Sequence, residues 1–225
     1  MTPPRRTTDE IAASPSLAAR FRSPALELLD GREYRQPLPS ATVVAAVVAL
    51  ASAFDAEPYG LRVGVREQVI APPRDLLRPE VSLLHAGAPR CAPAATPAAL
   101  VALAVLVVER SDDAHERLVR YAASGLAEVW VLALEDGVGA AYGAPVDRRF
   151  RRRSLLLPGE PYAPEALPWA RVVPLRPRRE RDEAAHAPQP SSASSPSSSS
   201  SISKRSPSTS MTSPGATRRF RRVSG

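Results

Sequence analysis

Two glutamates stand at the ends of predicted strands, where their carboxylates could hold a metal ion. Glu80 begins the short apolar run 80–84, and Glu109 ends the continuous Val/Leu run 102–109. If these strands pair, the two carboxylates meet at one edge of the sheet and repel each other. A hard divalent cation such as Mg²⁺ relieves that repulsion, and phosphodiester-cleaving sites use such an ion to polarise phosphate and to prepare a hydroxide.

A cation nearby would complete such a site by stabilising the charge that develops in the transition state. Arg117, one turn into the helix predicted after Glu109, is the candidate. Each residue also has a simpler explanation. An acidic residue at a strand end is more often a solvated rim residue than a ligand, and Arg117 is spaced to form an i,i+4 pair with Asp113, worth about 0.2–0.5 kcal/mol.

The elements that must position these residues form an α/β pattern. Asp30-Gly31 lies between two short segments of residues 26–34 and predicts a hairpin. Ser40 can cap an apolar helix over residues 42–54, which we expect to be buried against a sheet. Residues 61–69 alternate apolar and polar side chains, as in a half-buried strand.

The second half of the chain continues the same pattern. Apolar residues on both faces of segment 102–109 predict a central strand. A helix follows, with Asp113 and Glu116 as a capping box and Gly125 at its end. Residues 128–134 predict another strand, and residues 139–157 predict a closing hairpin with its turn near Asp147-Arg148. The order predicts a mixed central sheet with one helix on each side.

These residues resemble the Uma family of restriction-endonuclease-like proteins over residues 26–168. The resemblance is carried by residues 26–31, by Pro39-Ser40 before an apolar helix, and by residues 78–81, 105–109 and 117–131. The last block is similar to the family pattern K-L-x-x-Y-A-x-x-G-I-x-E-Y-W-I-V. The resemblance implies the PD-(D/E)XK restriction endonuclease-like fold, a Mg²⁺ or Mn²⁺ cofactor and DNA as substrate.

The resemblance also implies roles for particular residues. The family's PD aspartate falls on Glu80, its strand-end glutamate on Glu109 and its helix-borne lysine on Arg117, so these three are the expected catalytic residues. Glu80 and Glu109 are the expected metal ligands, together with a further acidic residue that matches Glu27 or, less closely, Glu33.

The chain departs from the family at the positions that carry chemistry. Glu80 stands for Asp, which moves the carboxylate outward by one methylene. Arg117 stands for Lys, which keeps the positive charge but loses a compact ammonium group whose pKa can shift. The segment between Glu109 and Arg117 is short for the family, and no His follows Pro39-Ser40.

Composition predicts three regions: a loose lead-in at 1–24, in which residues 16–22 could form a helical turn, the folded domain at 25–175, and a disordered basic tail at 176–225. The tail is rich in Ser and Pro and cannot bury enough apolar surface to offset its ordering entropy. Residues 1–175 carry 20 basic and 20 acidic side chains, so the net charge of +7 comes from the tail. Its terminal arginines could simply solubilise it or could contact phosphates: Arg218, Arg219, Arg221 and Arg222.

Other features limit the class of protein. Cys91 is the only cysteine, which excludes an internal disulfide and a cysteine-clustered metal site and favours a reducing cytoplasm. The apolar runs are shorter than the roughly 20 residues that span a bilayer, so we expect no membrane segment. Homodimerisation would suit an enzyme that cuts both DNA strands, but no pattern requires it.

The sequence therefore predicts a metal-dependent DNA endonuclease of this family. One alternative is a catalytically inactive domain of the same fold that binds nucleic acid or a protein. Another is an unrelated α/β fold, in which Glu80 and Glu109 would lie on non-adjacent strands or at opposite edges.

Overall fold

A computed structural model describes residues 5–54, 60–88 and 95–175 of the chain. The helices are α1 (Thr8–Ala13), α2 (Pro15–Phe21), α3 (Ala41–Ala53) and α4 (His115–Ala123). The strands are β1 (Leu26–Leu29), β2 (Arg32–Arg35), β3 (Leu61–Val65), β4 (Val69–Ala71), β5 (Asp75–Leu77), β6 (Val81–His85), β7 (Thr96–Pro97), β8 (Val101–Val108), β9 (Glu128–Ala133), β10 (Val138–Val146) and β11 (Arg149–Leu156). The predicted tail, with its four terminal arginines, lies outside the described residues.

The central sheet has six strands in the order β11-β10-β9-β8-β6-β3. Strand β8 is fully buried and lies between β6, with which it is antiparallel, and β9, with which it is parallel. The continuous apolar run therefore forms a central strand, as its sequence predicts. A parallel pair needs a crossover, and α4 supplies it between β8 and β9.

The two faces of this sheet are covered by different elements because successive residues of a strand point to opposite sides. Leu103, Val105 and Val107 of β8 belong to the core cluster that includes α3. Ala104 and Leu106 belong to the cluster that includes α4. The mixed sheet flanked by helices that the sequence predicts is thus present.

Local signals of the sequence are found where they were expected. Asp30 and Gly31 both have positive φ, which suits a two-residue hairpin between β1 and β2. The Ser40 hydroxyl accepts a hydrogen bond from the Val43 N–H and caps α3. Gly125 follows α4 with a φ of 74°. Asp147 and Arg148 form the turn between β10 and β11.

Several elements differ from prediction. The run 61–69 is two strands, because the chain turns at Arg66 (φ 51°) and β4 then joins a second, five-stranded sheet. Helix α3 packs against the central sheet as expected, through Val43, Val47 and Leu50, although its sequence is apolar nearly all round. Asp113 does not cap α4. A 3₁₀ turn precedes this helix, and there Asp113 accepts a hydrogen bond from the Arg110 N–H.

Within the segment predicted as a loose lead-in, residues 8–21 form α1 and α2, and α2 falls on the helical turn expected at 16–22. A capping box formed by Thr7 and Glu10 starts α1, and Ser14 caps α2 with proline at its first position. Ile11 and Phe21 are buried in a small core with β1 and β5. Two apolar side chains and two N-terminal caps order this part of the chain, although its composition is rich in Pro, Thr and Arg. The boundaries predicted for the folded domain and the tail remain predictions.

No helix of the described residues is long and apolar enough to cross a membrane. The Pro-rich stretch after β11 packs back onto the central sheet through Leu167, Val172 and Leu175. Glu128, at the start of β9, holds this stretch in place through a hydrogen bond. Its Oε1 accepts a hydrogen bond from the Trp130 indole N–H at 2.7 Å, and its Oε2 accepts one from the Glu165 backbone N–H at 2.7 Å.

We expect Glu128→Ala to lower the free energy of unfolding by about 1–3 kcal/mol, because two buried or half-buried donors lose their acceptor. The measurement is urea unfolding followed by tryptophan fluorescence and by circular dichroism. Glu135→Ala is the matched control: Glu135 is exposed, and this change should stay within about 0.5 kcal/mol of the parent. Equal stability of the two variants would contradict the role given to Glu128.

Candidate functional site

The structure brings Glu80 and Glu109 to one edge of the central sheet. Glu80 directly precedes β6, and Glu109 directly follows β8, its antiparallel neighbour. The Glu80 backbone N–H donates to the Val105 carbonyl at 3.0 Å, which fixes the register at this edge. Both residues line one small pocket with Arg117. The arrangement that an unrelated fold would have produced, with these residues on non-adjacent strands, is not found.

Arg117 lies at the centre of the site, where it is only 3% exposed. Its Nη1 donates to both carboxylate oxygens of Glu80 at 3.2 Å, and its Nε lies 3.0 Å from Oε2 of Glu27. Its Nη2 donates to the Arg78 carbonyl at 2.8 Å and to the Tyr121 hydroxyl at 3.4 Å. The guanidinium therefore joins two buried carboxylates, and the predicted i,i+4 pair with Asp113 is not formed.

Glu27 is fully buried on β1 and serves as the second carboxylate of this cluster. Its Oε1 accepts from the Arg78 backbone N–H at 2.6 Å and from the Tyr121 hydroxyl at 3.1 Å. Its Oε2 faces the Arg117 Nε. Of the two acidic residues that matched the family's additional acid, Glu27 is the one at the site. Glu33 lies away from it and pairs with Arg6 and Arg20.

Arg78 completes the charge balance of the cluster. Its side chain is buried and donates to the backbone carbonyls of Arg66 at 2.7 Å and Phe21 at 3.0 Å. With Arg78 and Arg117 against Glu27 and Glu80, the buried site holds two positive and two negative charges. The formal charges of these four side chains are equal in number, although the Arg78 guanidinium is held by backbone carbonyls and not by a carboxylate.

Burial and charge act on the protonation of these groups in opposite directions. Burial raises the pKa of the Glu80 carboxyl above its ordinary value, although Arg117 opposes the shift. Burial lowers the pKa of Arg78. For Arg117 burial acts downward as well, but Glu27 and Glu80 outweigh it and raise the pKa. Burial, reinforced by Glu27, raises the pKa of the Tyr121 hydroxyl, so Tyr121 remains a hydrogen-bond donor.

Glu109 stands apart from this cluster. It is half-exposed at the rim of the pocket. Glu80 turns inward instead, where its Oε2 also accepts a hydrogen bond from the Val107 N–H at 3.2 Å. The two strand-end glutamates therefore line the same pocket, but Glu80 is buried and Glu109 lies at the rim.

The residues present do not fit a Mg²⁺ or Mn²⁺ ion. Both oxygens of Glu80 and Oε1 of Glu27 accept hydrogen bonds from N–H or O–H groups of the protein. Oε2 of Glu27 accepts no hydrogen bond within the described residues and lies 3.0 Å from the Arg117 Nε as an ion pair. No group of three or more His, Cys, Asp or Glu residues suited to a metal occurs within residues 5–54, 60–88 and 95–175. A divalent cation added to a neutral buried cluster would leave two uncompensated positive charges, which is costly in a low-dielectric interior.

Sequence reasoning missed Arg78 and Tyr121 as members of the site. Both lie inside the blocks that resemble the Uma family, Arg78 immediately before Pro79-Glu80 and Tyr121 one helical turn after Arg117. The i,i+4 spacing places Arg117 and Tyr121 on one face of α4, and this was the signal that could have found Tyr121. For Arg78 no spacing rule predicts that its own carbonyl accepts a hydrogen bond from Arg117.

The sheet order and the flanking helices define a restriction endonuclease-like α/β fold. A crystal structure described as "a putative nuclease belonging to DUF820", from Anabaena variabilis ATCC 29413, has a similar fold, with a TM-score of 0.54. The match covers 69% of this chain and 93% of that chain at 11% sequence identity, so it shows the fold alone. No family model and no curated protein matches the sequence.

We expect Arg117→Ala to lower the free energy of unfolding by about 3–5 kcal/mol, because it leaves two buried carboxylates without their shared counter-ion. Urea unfolding at neutral pH measures the change. Arg151→Ala is the control: Arg151 pairs with Asp147 at 3.5 Å on the surface, and losing that pair should cost no more than about 1 kcal/mol. Similar losses in both variants would show that the buried pair does not hold the fold.

Proposed function

We propose that the chain is a Uma-family domain of the restriction endonuclease-like fold that binds nucleic acid and whose nuclease site is closed by Arg117. One observation carries the proposal: Arg117 occupies the space between Glu27 and Glu80 and forms an ion pair with each of them. In the family's pattern a lysine stands at this position. The site positions are thus retained as Glu80, Glu109 and Arg117, but Glu80 and Arg117 bind each other in the interior while Glu109 lies at the rim of the pocket.

Arginine suits this closed arrangement better than lysine. Its planar guanidinium offers N–H groups in several fixed directions, so Arg117 reaches Glu27, Glu80 and the Arg78 carbonyl at once. A lysine ammonium is a compact charge at the end of a flexible stem and has only three donors. A metal ion would have to displace Arg117 from both carboxylates, and breaking a buried pair of this kind costs about 3–5 kcal/mol.

The second candidate function is a metal-dependent DNA endonuclease that uses Mg²⁺ or Mn²⁺. The observation in its favour is that Glu80 and Glu109 lie at the same edge of adjacent strands and line one pocket with Arg117. In that function Glu80, Glu109 and Glu27 would be the ligands and Arg117 the catalytic cation. It would require the side chain of Arg117 to leave the position that it has in this structure.

The partner that we propose is DNA, since the fold is that of a protein described as a nuclease. A homodimer would let two copies contact both strands of a duplex. We place the protein in the reducing cytoplasm because Cys91 is its only cysteine. The tail residues Arg218, Arg219, Arg221 and Arg222 would add a nonspecific phosphate-binding arm.

The test is incubation of the full chain with supercoiled plasmid and Mg²⁺ or Mn²⁺, beside Arg117→Lys and Glu109→Ala. We expect the parent to shift the plasmid in a gel without nicking it, and to show no stoichiometric Mn²⁺ binding in calorimetry. Arg117→Lys frees one carboxylate and should bind Mn²⁺ measurably. Metal-dependent cleavage by the parent that is lost in Glu109→Ala would instead establish the endonuclease and overturn the closed site.

A further inference from the structure

Five of the six residues at the start of β11 and in the turn before it are arginines. The segment reads Arg-Arg-Phe-Arg-Arg-Arg over residues 148–153, and we call these five side chains the arginine row. All five are exposed, whereas Phe150 is half-buried. The row is distinct from the arginines of the tail and from those of the acidic pocket.

The row carries more positive charge than its surroundings neutralise. Among the residues that the structure describes, Arg151 pairs with Asp147 and Arg152 pairs with Glu165. Both pairs are on the surface, where Arg151 is 60% and Arg152 is 50% exposed. Such pairs are weak and exchange readily with other anions. The row therefore keeps a surplus of positive charge, although residues 1–175 are neutral as a whole.

Packing beneath the row holds it in an extended line. The rings of Phe150 and Tyr142 lie 5.9 Å apart, and the Arg153 guanidinium lies 5.8 Å from the centre of the Tyr142 ring. The Arg152 guanidinium lies against Gly143, in the space that a side chain at residue 143 would occupy. Tyr142 and Gly143 of the neighbouring strand thus contact the row while its five arginine side chains are exposed.

The row lies at the edge of the sheet farthest from the acidic pocket. Strand β11 ends the strand order, and β10 and β9 separate it from β8. Since β11 runs in the same direction as β8, its first residues lie at the opposite end of the sheet from Glu109. A ligand bound along the row would therefore not enter the pocket of Glu80 and Arg117.

We propose that the arginine row is the surface that binds the phosphodiester backbone of nucleic acid. The inference rests on the proposed function and gives it a location. Alternate side chains of a strand are spaced roughly 6.6–6.8 Å apart, about twice the axial rise per nucleotide of roughly 3.4 Å. Guanidinium groups bind phosphate through paired hydrogen bonds. The row contacts the backbone alone, so it reads no base sequence.

The experiment compares two triple variants of the full chain that remove the same charge. Arg148→Gln/Arg149→Gln/Arg151→Gln alters the row, and Arg218→Gln/Arg219→Gln/Arg221→Gln alters the tail. Binding is measured by fluorescence anisotropy with a labelled 30-base-pair DNA duplex, a single-stranded DNA and an RNA of the same length, over a series of salt concentrations. Circular dichroism and thermal unfolding check that each variant is folded.

We expect the row variant to bind duplex DNA at least about tenfold more weakly and to lose about 3 units from the slope of log affinity against log salt concentration. The tail variant should retain more affinity than the row variant. Arg148→Lys/Arg149→Lys/Arg151→Lys keeps the charge and should restore most of the binding. Weaker binding of all three nucleic acids by the row variant would fit backbone recognition.

Other results would overturn the inference in distinguishable ways. If the parent binds DNA and the row variant binds equally well, the arginine row is not the binding surface, while the proposed function stands. Loss of binding in the tail variant alone would assign the surface to the tail. If the parent binds no nucleic acid, or binds only vesicles of anionic lipid, both the row and the proposed function fail.

Discussion

The ion pairs of Arg117 with Glu27 and Glu80 are the interaction on which the rest of the site depends. They join three parts of the chain that are distant in sequence: the first hairpin, the strand β6 and the helix α4. Charges can be buried only when they are paired and hydrogen-bonded. The hairpin must therefore pack where Glu27 meets Arg117, and Tyr121 and the Arg78 N–H satisfy the oxygen that Arg117 does not reach.

The same pairing decides what the acidic edge can do. Glu80 and Glu109 lie at neighbouring strand ends, an arrangement suited to holding a cation between carboxylates. The cation in this structure is a side chain, and it is held by the fold itself. An internal guanidinium cannot activate water as a metal ion does, but it supplies the neutralisation that the carboxylates need. In our proposal, an arginine at the position where the Uma pattern has a lysine connects a stable fold with a closed site.

Much of the fold could be predicted from the sequence because local chemistry decides it. Asp30-Gly31 specifies a tight hairpin, and an apolar run without polar breaks specifies the central strand β8. The break at Arg66 and the helix α1 could not be predicted, since both depend on packing partners far along the chain. The spacing of Asp113 and Arg117 also allowed an i,i+4 pair. In the fold, however, Arg117 is buried beside Glu27 and Glu80, which are distant in sequence, and forms its ion pairs with them.

Formal neutrality of residues 1–175 conceals an uneven distribution of charge. Acidic and basic groups cancel in the interior, where Glu27, Glu80, Arg78 and Arg117 form a balanced set. Five arginines remain in solvent at the far end of the sheet, on the edge strand β11 and in the turn before it. A charge count over the whole domain therefore predicts no affinity for polyanions, while the placement of the charges favours it. In our proposal the binding surface and the closed acidic pocket are separate, so loss of cleavage would leave nucleic-acid binding intact.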